Sequence, residues 1–239
     1  MQKIILMGIL NTSPESFFDG GSVEVNPQYV LQKAQNLLAE GAEIIDIGGQ
    51  STRPGYSEIP AEEEIKRTAP FIKLIKQKTG ACISIDSYKE PVVKTALEAG
   101  ADIVNDVSGL KDIILAKLAA DYGAKLVIMH NGEVKNLQDV HNFFTVKIKE
   151  TEQVGVKKEN LILDIGLGFG KDVQENWLLL ENISYFDSFN LPLLVGASRK
   201  RFTGKTLENS LKAAHLAAKT KNDLILRVHE VKETKEAFL

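Results

Sequence analysis

The sequence predicts an α/β fold in which strands and helices alternate eight times. Three observations predict it: short apolar runs rich in β-branched residues recur eight times, segments with helical periodicity separate them, and glycines stand where five of those segments end. Four of these glycines are followed at once by the next apolar run, which leaves no room for a second domain. We therefore expect residues 1–239 to form one domain, a single (β/α)8 TIM barrel.

The elements follow from these runs in chain order. Strands are predicted at residues 4–10, 43–47, 82–85, 102–104, 125–129, 161–165, 193–195 and 224–228. Helices are predicted at residues 27–40, 61–78, 90–99, 112–122, 140–154, 172–183 and 207–219, with a short segment from 231. The glycines that follow helices, where a left-handed residue is usual, are Gly41, Gly80, Gly100, Gly123 and Gly155.

Composition narrows the possible functions. The 239 residues are 44% hydrophobic and 26% charged, and 29 Lys and Arg against 32 Asp and Glu give a net charge of −3. Such a balance provides no basic field for a nucleic acid or an anionic membrane, so neither is an expected partner. A single cysteine, Cys82, excludes an intrachain disulfide framework. The chain begins with a strand-like run rather than a secretory signal, and we expect a cytoplasmic protein.

A doubly wound open sheet is the alternative fold. It predicts a dinucleotide fingerprint after an early strand, yet Gly166, Gly168 and Gly170 do not have the G-x-G-x-x-G spacing. The Gly-Lys-Thr triplet that begins at Gly204 resembles the end of a P-loop, but Arg199 stands where the first P-loop glycine is required. Nucleotide binding by these two motifs is therefore not expected.

Polar residues gather where the predicted strands end, which is the catalytic face of a parallel barrel. Asn11 follows the first strand, Asp86 the third, Asn105 the fourth and Asp164 the sixth. Long loops bearing glycine and proline follow the first two strands. We interpret Asp86 and Asp164 as functional, because both fall at the same level of the barrel.

Cationic residues concentrate after the last two strands. Arg227 and His229 are two residues apart and project to one face, and the Ser-Arg-Lys-Arg cluster that begins at Ser198 follows strand 7. Loops after strands 7 and 8 often bind phosphate in this fold. In a chain with a net negative charge, this concentration indicates an anionic substrate group.

Three other polar residues are expected to be structural: Asp106 and Asp172 suit turns or helix N-caps, and His215 suits a packing position. His130 and His141 fit a structural role as well as a functional one.

Taken together, these motifs resemble the signature blocks of the dihydropteroate synthase family. The matching residues lie at 8–11, 14, 16–17, 19–21, 46–49, 51–55, 166, 168–171, 198–200 and 227–229, in the family's order across nearly the whole chain. The resemblance implies a transferase of folate biosynthesis. It implies that 4-aminobenzoate is joined to 6-hydroxymethyl-7,8-dihydropterin diphosphate with release of pyrophosphate, that Mg²⁺ assists, and that the protein is a homodimer.

The resemblance also implies roles for individual residues. The pterin residues are Asp86, Asn105, Met129, Asp164, Phe169 and Lys200, and the diphosphate residues are Asn11, Arg53, Arg227 and His229, with Asn11 also the metal ligand. The aminobenzoate residues are Pro14, Phe17, Thr52, Pro54 and Ser198. The catalytic residues are Asp19, which lies near the reacting carbon, Asp86 and Lys200. The implied pathway is SN1-like, because pyrophosphate leaves before the arylamine attacks, and it needs no covalent nucleophile.

Several residues depart from the family pattern. Glu15, Gln50, Ser87, Ile165 and Glu230 stand where the family usually has Asp, Glu, Thr, Pro and Asp. Two alternatives therefore stay open. One is a non-catalytic paralogue that binds pterins, and the other is a pterin-dependent methyltransferase, which has no need for the anion-binding residues.

Overall fold

The structure is a computed structural model, which describes residues 2–13, 26–50 and 58–238. Its strands are β1 Ile4–Asn11, β2 Ile44–Gly48, β3 Cys82–Asp86, β4 Ile103–Asp106, β5 Lys125–Met129, β6 Leu161–Asp164, β7 Leu193–Val195 and β8 Leu224–Val228. Its helices are α1 Pro27–Glu40, α2 Ala61–Thr79, α3 Glu90–Glu98, α4 Ile114–Tyr122, α5 Leu137–Gln153, α6 Val173–Glu181, α7 Leu207–Ala217 and α8 Val231–Phe238. Within these described ranges, the predicted order of strand then helix, repeated eight times, is confirmed.

The eight strands form a closed parallel barrel in sequence order. Each strand pairs with the next, and β8 returns to β1 with Ile4 opposite Leu224. This closure confirms the (β/α)8 barrel and excludes the open sheet, because an open sheet has two edge strands that each pair on one side only.

Apolar side chains fill two separate regions. A large core lies between the barrel and the helices, and a smaller one fills the barrel interior with Met7, Ile44, Ile103, Val127 and Ile162 among its members. Because side chains along a strand alternate between its faces, the same strands supply both cores. The interior is therefore packed at this level and cannot act as a pore.

The helix ends show how local sequence sets the boundaries. Gly41, which follows α1, adopts the left-handed conformation with φ +113°, and its N–H contacts the last carbonyls of the helix. Asp172 caps α6 in a reciprocal capping box with Glu175. Asp172 was predicted to be structural, and this cap confirms it.

Several predicted boundaries were wrong. Helix α5 begins at Leu137, three residues before the predicted start, because the Asn136 side chain caps it through Asp139 N–H. The predicted sixth helix ends early at Glu181, and a separate 3₁₀ helix, Ile183–Phe189, follows it. Among the described residues, no helix is both long and apolar enough to cross a membrane.

Candidate active site

A polar layer lies directly above the apolar barrel interior. Asp46, Asn105, Asp164 and Arg227 each come two residues after an interior apolar residue of the same strand, respectively Ile44, Ile103, Ile162 and Ile225. The two-residue period of a strand makes both residues of each pair face inward, and the polar one lies nearer the carboxyl end. The strands thus build a ring of charged and polar groups at the mouth of the barrel.

Arg227 joins three strands across this mouth. Its Nε donates to Asp46 Oδ2 and its Nη2 donates to Asp86 Oδ2, each at 2.7 Å. Asn105 Nδ2 also donates to Asp46, at 3.2 Å from Oδ1 and 3.4 Å from Oδ2. The structure therefore brings together three of the sequence-predicted site residues and adds Asp46, for which no role was predicted.

Two acceptor atoms in this network are buried without a hydrogen-bond partner among the described residues. They are Asp86 Oδ1 and Asn105 Oδ1. Burial raises the pKa of Asp86 to about 7, the Arg227 charge opposes this rise and the nearby Asp46 carboxylate adds to it. Because leaving buried acceptors unpaired costs free energy, the arrangement suits a ligand that brings N–H donors.

Asp164 provides a third carboxylate at the mouth. Its Oδ1 accepts the Gly166 N–H at 2.7 Å, and burial raises its pKa while this hydrogen bond opposes the rise. Met129, fully buried at the end of β5, pairs with Asp164 in the strand register. The structure places both predicted pterin residues side by side.

Lys200 reaches the same group of side chains from the loop after β7. Its Nζ lies 4.1 Å from the centre of the Phe169 ring, a cation–π contact. Burial lowers its pKa to about 8, the Arg227 charge lowers it further, and Asp164 and Asp86 oppose the change. Lys200 is therefore a partly buried cation whose proton is held less tightly than that of an exposed lysine.

A glycine-rich turn between β6 and α6 carries Phe169. Gly166 has φ +68°, and a Cβ there would lie 1.8 Å from the His130 carbonyl oxygen, so only glycine fits. Lys171 Nζ donates to the carbonyls of His130, Gly166 and Phe169 at 2.9 to 3.0 Å. Lys171 thereby ties this turn to the end of β5.

Ser198, His229 and Glu230 form a second cluster at the same end of the barrel. Ser198 Oγ lies 2.9 Å from His229 Nδ1 and donates to Glu230 Oε2 at 2.9 Å, and Arg199 Nε donates to Glu230 Oε1. Since the serine proton goes to the carboxylate, the imidazole Nδ1 is the donor in its contact with Ser198. Ser198, predicted to bind aminobenzoate, thus also contacts a predicted diphosphate residue.

Asn11 ends β1, the strand that pairs with β8. A Cβ at Gly48 would lie 3.7 Å from Asn11 Oδ1 and 3.6 Å from Asp86 Cβ, so the two residues flank the space that this glycine leaves. Within the described ranges, no group of three or more His, Cys, Asp and Glu could hold a metal. The Asn11 side chain carries an amide oxygen, and oxygen is the ligand type that Mg²⁺ prefers.

Six predicted site residues lie outside the described residues: Pro14, Phe17, Asp19, Thr52, Arg53 and Pro54. The departure Glu15 also lies there.

Sequence reasoning missed two groups that shape the site, the buried Asp46 and the partly buried Lys171. The signal for Asp46 was its position two residues after Ile44. Because side chains alternate along a strand, this spacing places both side chains in the barrel interior. For Lys171 the sequence gives no comparable signal, because its role depends on a carbonyl of another strand.

The chain is similar to known proteins over nearly its whole length. The family described as "Pterin binding enzyme" matches residues 7–229. The dihydropteroate synthase of Streptococcus pyogenes is 42% identical over 245 residues, covering 97% of this chain and 92% of that protein.

Solved structures are also similar to this chain. A dihydropteroate synthase from Clostridium difficile in the presence of pteroic acid has a TM-score of 0.92 and 40% identity, covering 98% of this chain and 94% of that one. The Xanthomonas albilineans enzyme with 4-aminobenzoic acid has a TM-score of 0.91 and 35% identity, covering 98% and 90% respectively.

Proposed function

The chain belongs to the dihydropteroate synthases within the pterin-binding enzyme family, and we propose how its barrel mouth divides the work of their reaction. The reaction, a step of folate biosynthesis, joins 4-aminobenzoate to 6-hydroxymethyl-7,8-dihydropterin diphosphate. Its products are 7,8-dihydropteroate and pyrophosphate.

The pterin is held by complementary hydrogen bonds. The single observation that carries this assignment is the pair of buried, unpaired acceptors Asp86 Oδ1 and Asn105 Oδ1 beside the Asp164 carboxylate. The edge of a dihydropterin offers several N–H donors, which match these acceptors, and one carbonyl oxygen, which matches the Lys200 ammonium. Met129 and Phe169 provide apolar surface for the flat ring.

The diphosphate lies against the cations of the rim. Arg227 uses two of its five N–H donors on Asp46 and Asp86, so the others can donate to phosphate oxygens. His229 contributes from the end of β8, and Arg53 and Asn11 complete the group.

Mg²⁺ fits this donor set, because the ion is usually held by one or two protein oxygens together with substrate phosphates and water. Asn11 would supply the protein oxygen. When bound, the ion would stabilise the negative charge that develops on the departing pyrophosphate.

We infer an SN1-like order of events. Arg53, Arg227 and His229 stabilise the negative charge that builds on the leaving group, and the Asp86 and Asp164 carboxylates stabilise the positive charge left on the pterin. The arylamine then attacks the reacting carbon, near Asp19. Cys82 lies at the start of β3, at the opposite end of the barrel from the mouth, so no thiol nucleophile takes part.

The aminobenzoate site is assigned to Pro14, Phe17, Thr52, Pro54 and Ser198.

The proposal includes a homodimer, a cytoplasmic location in keeping with the free thiol of Cys82, and one pterin-binding domain over residues 1–239. Sedimentation equilibrium of the purified protein tests the dimer, which a monomer at micromolar concentration would contradict.

The function is tested by giving purified protein the pterin diphosphate and Mg²⁺, with and without 4-aminobenzoate. We expect pyrophosphate release and dihydropteroate formation when both substrates are present. Binding of the pterin diphosphate without dihydropteroate formation under any condition would instead support the non-catalytic paralogue, with Glu15 and Gln50 as the first residues to revert.

A further inference from the structure

Asp46 is a fully buried carboxylate of the barrel mouth. It lies in the middle of β2 with 0% of its surface exposed, and its side chain faces the interior above Ile44. Burying a carboxylate without partners costs free energy. A buried carboxylate is therefore expected to have hydrogen-bond or ion-pair partners that compensate for this cost.

The partners of Asp46 belong to two different ligand groups. Arg227 Nε donates to Asp46 Oδ2 at 2.7 Å, and Asn105 Nδ2 donates to both oxygens at 3.2 and 3.4 Å. Arg227 is assigned to the diphosphate and Asn105 to the pterin. Asp46 thus contacts one member of each group.

The contact with Asn105 has a directional consequence. An ionised carboxylate only accepts hydrogen bonds, so it can pair with the amide nitrogen of Asn105 and not with its oxygen. The amide oxygen is therefore turned away from Asp46, and it is this Oδ1 that is buried without a partner in the described structure.

We propose that Asp46 is a positioning residue that fixes the Asn105 amide with its oxygen toward the pterin. This inference rests on the proposed function, because it takes Asn105 as a pterin ligand. Without Asp46, either end of the amide could face the pterin. A flipped amide would present N–H groups to pterin N–H groups, and the hydrogen bond would be lost.

The test exchanges the two side chains, which are matched in shape. In D46N, the introduced amide keeps its oxygen on Arg227 and turns its N–H₂ toward Asn105, which favours the flipped Asn105 amide. In N105D, two carboxylates face each other. In the double variant D46N/N105D, the carboxylate now at position 105 accepts from the amide now at position 46 and again offers an acceptor to the pterin, with the net charge unchanged.

Calorimetry uses 6-hydroxymethyl-7,8-dihydropterin, which carries no diphosphate, so the direct contact between Arg227 and the diphosphate does not contribute to the measured affinity. We expect each single variant to bind at least about tenfold more weakly and the double variant to recover to within about threefold of the wild type. A residue needed only for stability would give no such recovery, and the melting temperature of each variant is recorded alongside.

Two results would contradict the inference about Asp46 and leave the proposed function intact. One is a folded D46N that binds dihydropterin as tightly as the wild type, and the other is a folded double variant that binds it as weakly as the single variants. If D46N does not fold, the affinity of the folded double variant for dihydropterin tests the inference instead. Binding near the wild-type level supports the inference, and loss of binding overturns it. A wild-type protein that binds no dihydropterin overturns the proposed function, and this inference with it.

Discussion

The surroundings of Lys200 at the barrel mouth change its pKa and therefore the pH at which it loses its charge. Burial lowers its pKa to about 8, and the ammonium lies over Phe169 beside Asp86 and Asp164. A lowered lysine pKa means that the charge is complete well below pH 8 and is lost as the pH rises through that value. We expect the affinity for dihydropterin to fall by roughly tenfold between about pH 7 and pH 9.5, measured by calorimetry.

The matched control for this prediction is K200R, whose guanidinium stays charged across the whole range. Titration of the ligand, of Lys171 or of Asp86, whose pKa of about 7 lies near the same range, occurs in both proteins. An equal fall in the wild type and K200R would show that Lys200 is not the group responsible.

Gly166 is required because a larger side chain would clash with a neighbouring backbone atom, in addition to its left-handed backbone conformation. Gly166 and Gly123 have nearly the same φ, +68° and +66°, but a Cβ at Gly166 would lie 1.8 Å from the His130 carbonyl oxygen, whereas a Cβ at Gly123 meets nothing within 4 Å. We expect G123A to cost about 1 kcal/mol of stability, from its left-handed backbone. G166A should cost several times more and abolish dihydropterin binding, since its turn carries Phe169.

Urea unfolding and calorimetry on both variants check this prediction. Similar unfolding free energies for G166A and G123A would contradict it.

At the same scale, sequence reasoning succeeded where a role depends on near neighbours. Asp106 was predicted to be a turn former, and its carboxylate accepts from Ser108 N–H at 2.8 Å and Leu110 N–H at 2.7 Å. The role of Asp46 was missed because its partners lie 59 and 181 residues away. Local spacing does not encode such contacts.

At the scale of elements, Lys89 connects the end of β2 with α2 and α3. Lys89 Nζ lies 2.9 Å from Glu64 Oε2 and donates to Gln50 Oε1 at 2.8 Å and to the Ile59 carbonyl at 2.5 Å. Gln50, where the family usually has Glu, thus contacts a lysine that is already paired with a buried carboxylate. An amide in place of Glu here keeps a second negative charge away from Glu64.

We expect K89M to destabilise the protein by about 3 to 5 kcal/mol, because it leaves the Glu64 carboxylate, 2% exposed, without its counter-ion. The control is K117M, which removes an exposed ion pair with Asp121 within α4. Exposed pairs of this kind contribute less than about 1 kcal/mol. Urea unfolding of both variants measures the difference, and equal losses would contradict the prediction.

Element boundaries show what limited the sequence-based prediction. Strand positions were close, because the apolar runs that predict strands are the same residues that the barrel buries. The start of α5 and the 3₁₀ helix Ile183–Phe189 were missed. The Asp187 carboxylate of the 3₁₀ helix accepts from Thr220 Oγ and from Lys221 N–H, groups that a local period cannot indicate.

At the scale of the whole molecule, strand order alone places the candidate site. Eight alternating elements predict a closed barrel, and the barrel brings the carboxyl ends of distant strands to one mouth. The predicted residues Asp86, Asn105, Asp164, Lys200 and Arg227 do meet there. The sequence did not predict that Arg227 is ion-paired within the protein, because two strands far from β8 in the sequence provide its partners.

Arg227 is therefore expected to support the barrel as well as the reaction. It donates to Asp46 on β2 and Asp86 on β3, both at 2.7 Å. R227M removes the cation and leaves two buried carboxylates, at an expected cost of about 3 to 5 kcal/mol near neutral pH. Because Asp86 also faces the proposed pterin site, R227M should weaken binding of dihydropterin as well as of its diphosphate.

The cost of R227M should depend on pH in a defined direction. Burial already raises the pKa of Asp86 from 3.8 to about 7, and Arg227 is the charge that opposes this rise, so the pKa goes higher in the variant. A folded state that binds more protons than the unfolded state loses stability as the pH rises through that window. The stability gap between the wild type and R227M should therefore widen from about pH 6 to about pH 8.5, as measured by urea unfolding. A gap that is constant or that narrows would show that the ion pairs with Arg227 do not hold Asp86 in its charged form.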